Sequence, residues 1–281
     1  MAMLEIAAAS ADDVRRMAGW AADEGWNPGN SDAQAFFATD PAGFLIGRLD
    51  SEPVTCISVV KYGQGFGFLG FYIARPSARG KGHGIKVWNA GMARLAGRNV
   101  GLDGVPAQQA NYRKSGFRLA WNNVRYEGAA IDAKPPAGVE LVEASRIGFD
   151  KLAAYDRRFF PEARDSFLAS WISLPERVAM VALRDGALAG FGVMRTCRAG
   201  ARIGPLYAKT PEIASALFSA TGGRLGAKAV AVDIAGVNPA AVSWAESLGL
   251  KPSFETARMY TGADPEIDAA GLFGVASFEL G

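Results

Sequence analysis

The sequence predicts an α/β protein in which one α+β unit with a mixed sheet occurs twice along the chain. Three observations predict it. Up to residue 126, amphipathic and alternating apolar segments follow one another in the order α-α-β-β-β-α-β-α-β. Ala133-Lys-Pro-Pro-Ala-Gly138 then reads as a linker, and the same pattern recurs after it. Apolar residues make up 49% of the 281 and charged residues 21%, enough apolar material for a core in each unit.

The first unit opens on Ser10-Ala-Asp-Asp13, an N-cap with an acidic first turn, which predicts a helix over 14–24. Gly25-Trp-Asn-Pro-Gly29 breaks it, and Ser31-Asp32 starts a short helix through Phe36 and Phe37. After the turn at Asp40-Pro-Ala-Gly43, strands are predicted over 44–49 and 54–61, joined at Asp50-Ser-Glu-Pro53. Gly63-Gln-Gly65 turns into a third strand over 66–74. A glycine-rich loop over 75–84 leads to a helix over 85–96, a short strand over 100–103, a helix over 107–115 and a strand over 117–126. In the second unit, strands are predicted over 139–142, 178–183, 188–196, 202–208, 229–234 and 254–260. Helices are predicted from Phe149, after Pro161, over 211–225 and over 239–247, and 272–280 alternates as a final strand would. The domains are therefore residues 1–132 and 138–281.

Thirty Lys and Arg against 28 Asp and Glu leave a formal charge of +2, which does not suggest a nucleic-acid binder with its basic stripe. Cys56 and Cys197 are too few for a disulfide framework and point to a reducing compartment. The opening MAMLEIAAASADDVRRM has no basic stretch before its apolar residues, unlike a signal peptide, and no apolar run approaches the roughly 20 residues of a membrane span. The expected setting is the cytoplasm, with neither nucleic acid nor membrane as partner.

Arg79-Gly-Lys-Gly-His-Gly84 sits between a predicted strand and a predicted helix. Such a loop aims successive backbone N–H groups at one anion, and the helix adds its positive end. Gly82 and Gly84 leave room for close approach, while Arg79 and Lys81 add charge, so the segment suits a pyrophosphate. A glycine-rich surface turn would look similar. Neither a Walker loop nor G-x-G-x-x-G is present.

Arg79-x-x-Gly82-x-Gly84 also matches the R/Q-x-x-G-x-G/A signature of the GNAT superfamily of N-acetyltransferases. The apolar strand Phe68-Leu-Gly-Phe-Tyr-Ile-Ala74 precedes it, and Tyr112-Arg-Lys-Ser-Gly-Phe117 looks like that family's Y-x-K-x-G-F element. Order and spacing agree over residues 1–130, so the chain resembles tandem GNAT-like acetyltransferase folds. The resemblance implies acetyl-CoA as co-substrate and no metal. It implies that the strand bulges, pairs with the pantetheine arm through Phe71, Tyr72, Ile73 and Ala74, and polarises the thioester carbonyl with a backbone N–H near Phe71–Ile73. Arg79, Gly80, Lys81, Gly82, His83 and Gly84 would then hold the pyrophosphate, His83 through its backbone. Tyr112 is the implied general acid for the departing thiolate, although it also reads as a core tyrosine. The general base stays open, because residues 66–74 contain no carboxylate; Asp103 and Glu24 are the candidates. Trp26 and Asn27 fall on the family's acceptor side, although Trp-Asn-Pro-Gly is also an ordinary Asx-Pro turn.

The second unit keeps Asn238-Pro-Ala-Ala-Val-Ser-Trp-Ala245-Glu-Ser-Leu-Gly-Leu250, with Ala245 where the family has its tyrosine. After Ile203-Gly-Pro-Leu-Tyr207 no R-x-x-G-x-G follows, and Lys209-Thr-Pro-Glu212 runs straight into a helix. Residues 138–281 therefore read as a degenerate GNAT-like domain that supports the first or shapes its acceptor pocket. The resemblance implies N-acetylation of a primary amine of a small molecule; protein or peptide acetylation and a non-catalytic acyl-CoA sensor are the alternatives, and a homodimer is compatible with either. Acetyl-CoA is expected to bind the first half only. Gly82→Asp, which puts bulk and negative charge beside phosphate, is expected to abolish acetyl-CoA binding in a calorimetric titration; unchanged affinity would remove the loop from the site.

Overall fold

The structure is a computed structural model and describes residues 3–281. The first half contains β1 (Leu4–Ala8), α1 (Ala11–Asp23), α2 (Asp32–Thr39), β2 (Phe44–Leu49), β3 (Glu52–Tyr62), β4 (Phe66–Ala74), α3 (His83–Arg94), β5 (Asn99–Gly104), α4 (Gln109–Lys114) and β6 (Arg118–Ala129). The second contains β7 (Val139–Glu143), α5 (Phe149–Asp156), α6 (Asp165–Ser173), β8 (Arg177–Arg184), β9 (Ala187–Thr196), β10 (Ala201–Ala208), α7 (Pro211–Leu225), β11 (Ala229–Ala235), α8 (Pro239–Ser247), β12 (Lys251–Tyr260) and β13 (Leu272–Gly274).

Local chemistry sets most element ends. Ser10 caps α1 in a reciprocal box: its Oγ accepts from the Asp13 N–H at 3.2 Å, and the Asp13 carboxylate accepts from the Ser10 N–H at 3.0 Å. Val14, Met17, Trp20 and Ala21, at helical spacing, form the buried face of α1. Thr210 and Asn238 cap α7 and α8, each with proline at the first helical position. Two elements differ from the sequence expectation. β1 was not anticipated; it is a five-residue edge strand whose order comes from antiparallel pairing with β2, about 40 residues away. The final strand stops at Gly274, and the rest of the 272–280 segment is buried chain outside the ladder.

The thirteen strands of the described residues belong to one sheet, in the order β1-β2-β3-β4-β5-β12-β6-β11-β10-β9-β8-β7, with β13 on β10. The two halves exchange strands. β12, from the second half, pairs with β5 of the first, and β6, from the first half, pairs with β11 of the second. β6 and β12 also pair with each other along most of their length. The linker at 133–138 thus divides the sequence at a point where the sheet is continuous.

Strand alternation sends side chains to two faces. Phe44 and Ile46 of β2 enter a core that spans both halves beneath α1, α2, α5 and α6, while Leu45 enters a separate core against α3. A third core lies beneath α7 and α8. The spanning core joins the halves directly, with Phe36 of α2 stacked on Trp171 of α6 at 5.8 Å between ring centroids.

Buried ion pairs cross the same junction. Asp32 accepts from Arg177 Nη2 at 2.9 Å, Arg195 Nε at 3.1 Å and the Gly29 N–H at 2.8 Å. Arg125 of β6 grips Asp233 of β11 through two bonds of 2.6 and 3.0 Å, and Arg202 lies 3.4 Å from the same carboxylate. Burial raises the Asp32 carboxyl, but the guanidiniums of Arg195 and Arg177 outweigh it and hold it below the usual range.

Two outcomes follow from this architecture. Residues 1–132 expressed alone leave β5 without β12, and β6 without both of its neighbours, and are expected to show no cooperative thermal transition by circular dichroism, whereas the whole chain unfolds in one. A cooperative fragment would show that the first half closes its own sheet. Asp32→Ala strands two buried guanidiniums and is expected to cost about 3–5 kcal/mol in denaturant unfolding. Because the native carboxyl is held low, the wild-type contribution is intact above about pH 4 and is lost as pH falls through the folded-state value.

Candidate active site

β4 and β5 run parallel and pair only from Phe66 to Leu69 against Asn99 to Leu102. Beyond that, β4 bulges. Its register with β3 shifts between Cys56 and Ser58, Phe71 and Tyr72 drop out of the ladder, and Phe71 adopts φ +46°. Cys56 Sγ donates to the Phe71 carbonyl at 3.2 Å. The strands part here, and a cavity of about 550 Å³ lies between them. The free edge of β4 lines it through Phe71, Tyr72, Ile73 and Ala74. An extended ligand can pair with that edge as an added strand would.

At one end the cavity reaches the glycine loop. Arg79, Gly80, Gly82 and Gly84 line it. Gly80 and Gly82 have φ of +72° and +77°, so side chains there would be strained whatever the space. A Cβ on Gly84 would lie 2.9 Å from the Tyr72 hydroxyl. No side chain caps the first turn of α3, so its N–H groups remain available to an anion. Lys81 and His83, expected in this set, do not line the cavity: Lys81 is exposed, and His83 Nδ1 is buried without a partner. Arg79 folds back, donating to the Ala74 carbonyl at 2.9 Å and pairing with Glu24.

Tyr112 lines the opposite wall, stacked on Trp88 at 5.6 Å. A Cβ on Gly104 would overlap its ring, so this glycine admits the tyrosine. Burial pushes the hydroxyl up to about 12, with Tyr72 adding to the shift. It stays protonated over the working range. Full transfer of its proton to a thiolate of ordinary pKa, near ~8.5, would run uphill by roughly 5 kcal/mol. A hydroxyl raised in this way is a weaker acid than an ordinary tyrosine and remains a hydrogen-bond donor.

Three carboxylates line the cavity: Glu24, Asp103 and Glu279. The two anticipated ones are occupied. Glu24 is paired with Arg79. Asp103 accepts from Arg258 Nε at 2.7 Å, Arg258 Nη2 at 2.6 Å and Asn123 Nδ2 at 2.6 Å. Burial raises its carboxyl, with Arg258 opposing. Asp103 therefore serves as a cross-strand anchor between β5 and β12.

Trp26 lines the cavity, and its carbonyl accepts from Arg125 Nη1 at 2.8 Å. Asn27 does not line it. Its amide donates to the Ala199 carbonyl at 2.8 Å and accepts from the Ala199 N–H at 3.0 Å, which ties the loop to the second half.

The second half supplies Phe254, Thr256, Phe278 and Glu279 to the wall, none of them singled out from the sequence. Thr256 arrives on the exchanged strand. Glu279 belongs to a fully buried stretch, 272–281, in which it is the single charged residue; an acid inside an apolar run was the available signal.

The corresponding gap in the second half is filled. β10 and β11 pair in parallel only over Ala201–Ile203 and Val230–Val232. β13 then pairs with β10 at Leu206 and Tyr207, and the Val275 N–H donates to the Asp233 carbonyl at 2.9 Å. The chain itself takes the place that a pantetheine arm would need. Among the described residues, no group of three His, Cys, Asp or Glu side chains could hold a metal ion, and no helix is long and apolar enough to cross a membrane.

Comparisons with known proteins agree with this geometry. Residues 11–117 match a model described as the Acetyltransferase (GNAT) family, and residues 152–274 match one described as an Acetyltransferase (GNAT) domain. The chain is 32% identical over 267 residues to holothin acyltransferase from Pseudoalteromonas sp. (strain SANK 73390), covering 93% of this chain and 89% of that protein. A Pyrococcus horikoshii protein provisionally described as an acetyltransferase superposes with a TM-score of 0.83 at 22% identity, covering 99% and 96% of the two chains. A tandem GNAT protein from the clavulanic acid biosynthesis pathway superposes with a TM-score of 0.65 at 16% identity, covering 93% and 100%. With two matched regions, a shared fold throughout and a relative similar along nearly its whole length, this chain belongs to the GNAT family, as a tandem acyltransferase.

Proposed function

We propose that this acyltransferase uses acetyl-CoA as donor and the primary amine of a small molecule as acceptor, both bound in the β4–β5 cavity. The observation that carries the reading is the continuity of that cavity from the uncapped N-terminus of α3, past the free edge of β4, to a wall supplied by the second half. The residues fit the donor. Gly80, Gly82 and the first turn of α3 offer N–H groups to the pyrophosphate, and Arg79 adds charge if it leaves Glu24. The edge Phe71–Ala74 pairs with the pantetheine arm and places a backbone N–H at the thioester oxygen. Holding donor and amine in line supplies much of the acceleration.

A small acceptor is favoured by the size and lining of the cavity. Phe254, Phe278 and Trp26 contribute apolar wall to a cavity whose volume is within the range of small-molecule sites. The name of the Pseudoalteromonas relative, holothin acyltransferase, supports the same class of acceptor.

The test is release of free CoA thiol from acetyl-CoA in the presence of a panel of small primary amines, holothin first, with peptides alongside. Faster release with one small amine supports the reading; release only with peptides, or tight acetyl-CoA binding with no release, overturns it. Tyr112→Phe removes one hydrogen bond to a developing thiolate. It is expected to lower kcat about 10- to 100-fold while KM for acetyl-CoA changes little. A variant with full kcat would make Tyr112 a packing residue alone.

A further inference from the structure

We propose that Glu279 is the general base of the acyl transfer, carried into the first half's site by the segment that fills the second half's strand gap; this rests on the acetyl transfer to an amine described above. Of the three carboxylates in the cavity wall, Glu24 and Asp103 are engaged by arginines. Glu279 has no ion-pair partner among the described residues, and its Oε2 is buried with no hydrogen bond. A buried carboxylate on a residue of the cavity wall, with an oxygen left without a protein partner, is costly to keep unless a proton completes it.

The segment is fixed where it matters. The Glu279 carbonyl passes so close to Gly70 that a Cβ there would lie 2.1 Å away, immediately before the bulge at Phe71. Ser58 Oγ reaches the Glu279 carbonyl at 3.5 Å, Tyr62 Oη donates to the Leu280 carbonyl at 3.0 Å, and Arg164 Nη1 to the Gly281 carbonyl at 2.8 Å. The main chain at Glu279 is therefore held beside the bulge of β4, and Glu279 lines the cavity there. Its charged surroundings come from three elements. Burial raises its proton affinity, Arg202 of β10 opposes, Asp32 of α2 adds to it, and Arg195 of β9 opposes. A carboxyl raised in this way is a stronger base than an exposed one.

In the step, the neutral amine nitrogen attacks the thioester carbonyl carbon. The C–N bond forms and the C–S bond breaks, and sulfur leaves with the electron pair as a thiolate beside the Tyr112 hydroxyl. The surplus N–H proton passes to Glu279, which returns it to water before the next turnover.

Glu279→Gln keeps the shape and removes the base. With acetyl-CoA and the amine selected by the thiol-release panel, it is expected to lower kcat about 10²- to 10⁴-fold. Acetyl-CoA affinity by calorimetry and the thermal midpoint are expected to stay near wild type. The fall in wild-type kcat at acid pH, where Glu279 takes up its proton, is expected to vanish in the variant. In Glu279→Ala, added formate is expected to restore activity at least tenfold. A Gln variant that keeps both wild-type kcat and the acid limb overturns the assignment while leaving the acyltransferase reading intact. A wild-type protein that binds acetyl-CoA but acylates no amine of the panel overturns both.

Discussion

Between β5 and β11 the sheet has room for two strands, and the chain fills it crosswise, β12 beside β5 and β6 beside β11. Each half supplies the strand that completes the other. Part of the cavity wall beyond β5 is therefore second-half chain, with Phe254 and Thr256 on β12. The ion pairs that pin the junction depend on the same crossing: Asp103 meets Arg258 because β5 lies against β12, and Arg125 meets Asp233 because β6 lies against β11. Charges this deeply buried are tolerated because each carboxylate meets at least one guanidinium at hydrogen-bond distance. They fix the register of the junction more than they add to its stability.

The two halves carry one architecture and treat its central gap in opposite ways. In the first, the strands part after Leu69 and the space stays open. In the second, they part after Ile203 and the chain closes the space with Leu272–Gly274 and Val275. The half without the glycine loop is also the half whose gap is filled. The same segment then continues to Gly70. The carbonyls of Val275 and Ala276 pass close to Gly204, and that of Glu279 passes close to Gly70. β10 shifts register between Ile203 and Leu206 as β4 does near Phe71, so one stretch of chain lies against both bulges.

Much of this was legible because it is local. The Ser10–Asp13 box, the proline-led starts of α7 and α8, the alternation of β4 and the spacing from Arg79 to Gly84 each involve neighbours in sequence, and the structure places each where those neighbours dictate. The family resemblance rested on the same local features. The strand exchange was not legible, because the apolar pattern of β6 or β12 is the same whichever strand lies beside it. Glu279 was hidden for a related reason: its one local sign is an acid inside an apolar run, and its place in the cavity wall is set by Gly70 and Ser58, more than 200 residues earlier. Asn27 shows the converse. Its place in the loop that follows α1 was legible, but the partner that claims its amide, Ala199, lies in the other half.

Synthesis from the ribosome gives the crossed strands a further meaning. Asp103 and its partner Arg258 are 155 residues apart, so β5 emerges roughly 8–30 s before the strand that covers it, at 5–20 residues per second. During that interval β5 has no neighbour on the side that β12 will cover, an edge able to recruit any extended chain. Long sequence separation also makes the closing step slow relative to local folding. The emerging chain thus carries an unprotected edge beside the β4–β5 cavity, and protection of that edge arrives only with the second half.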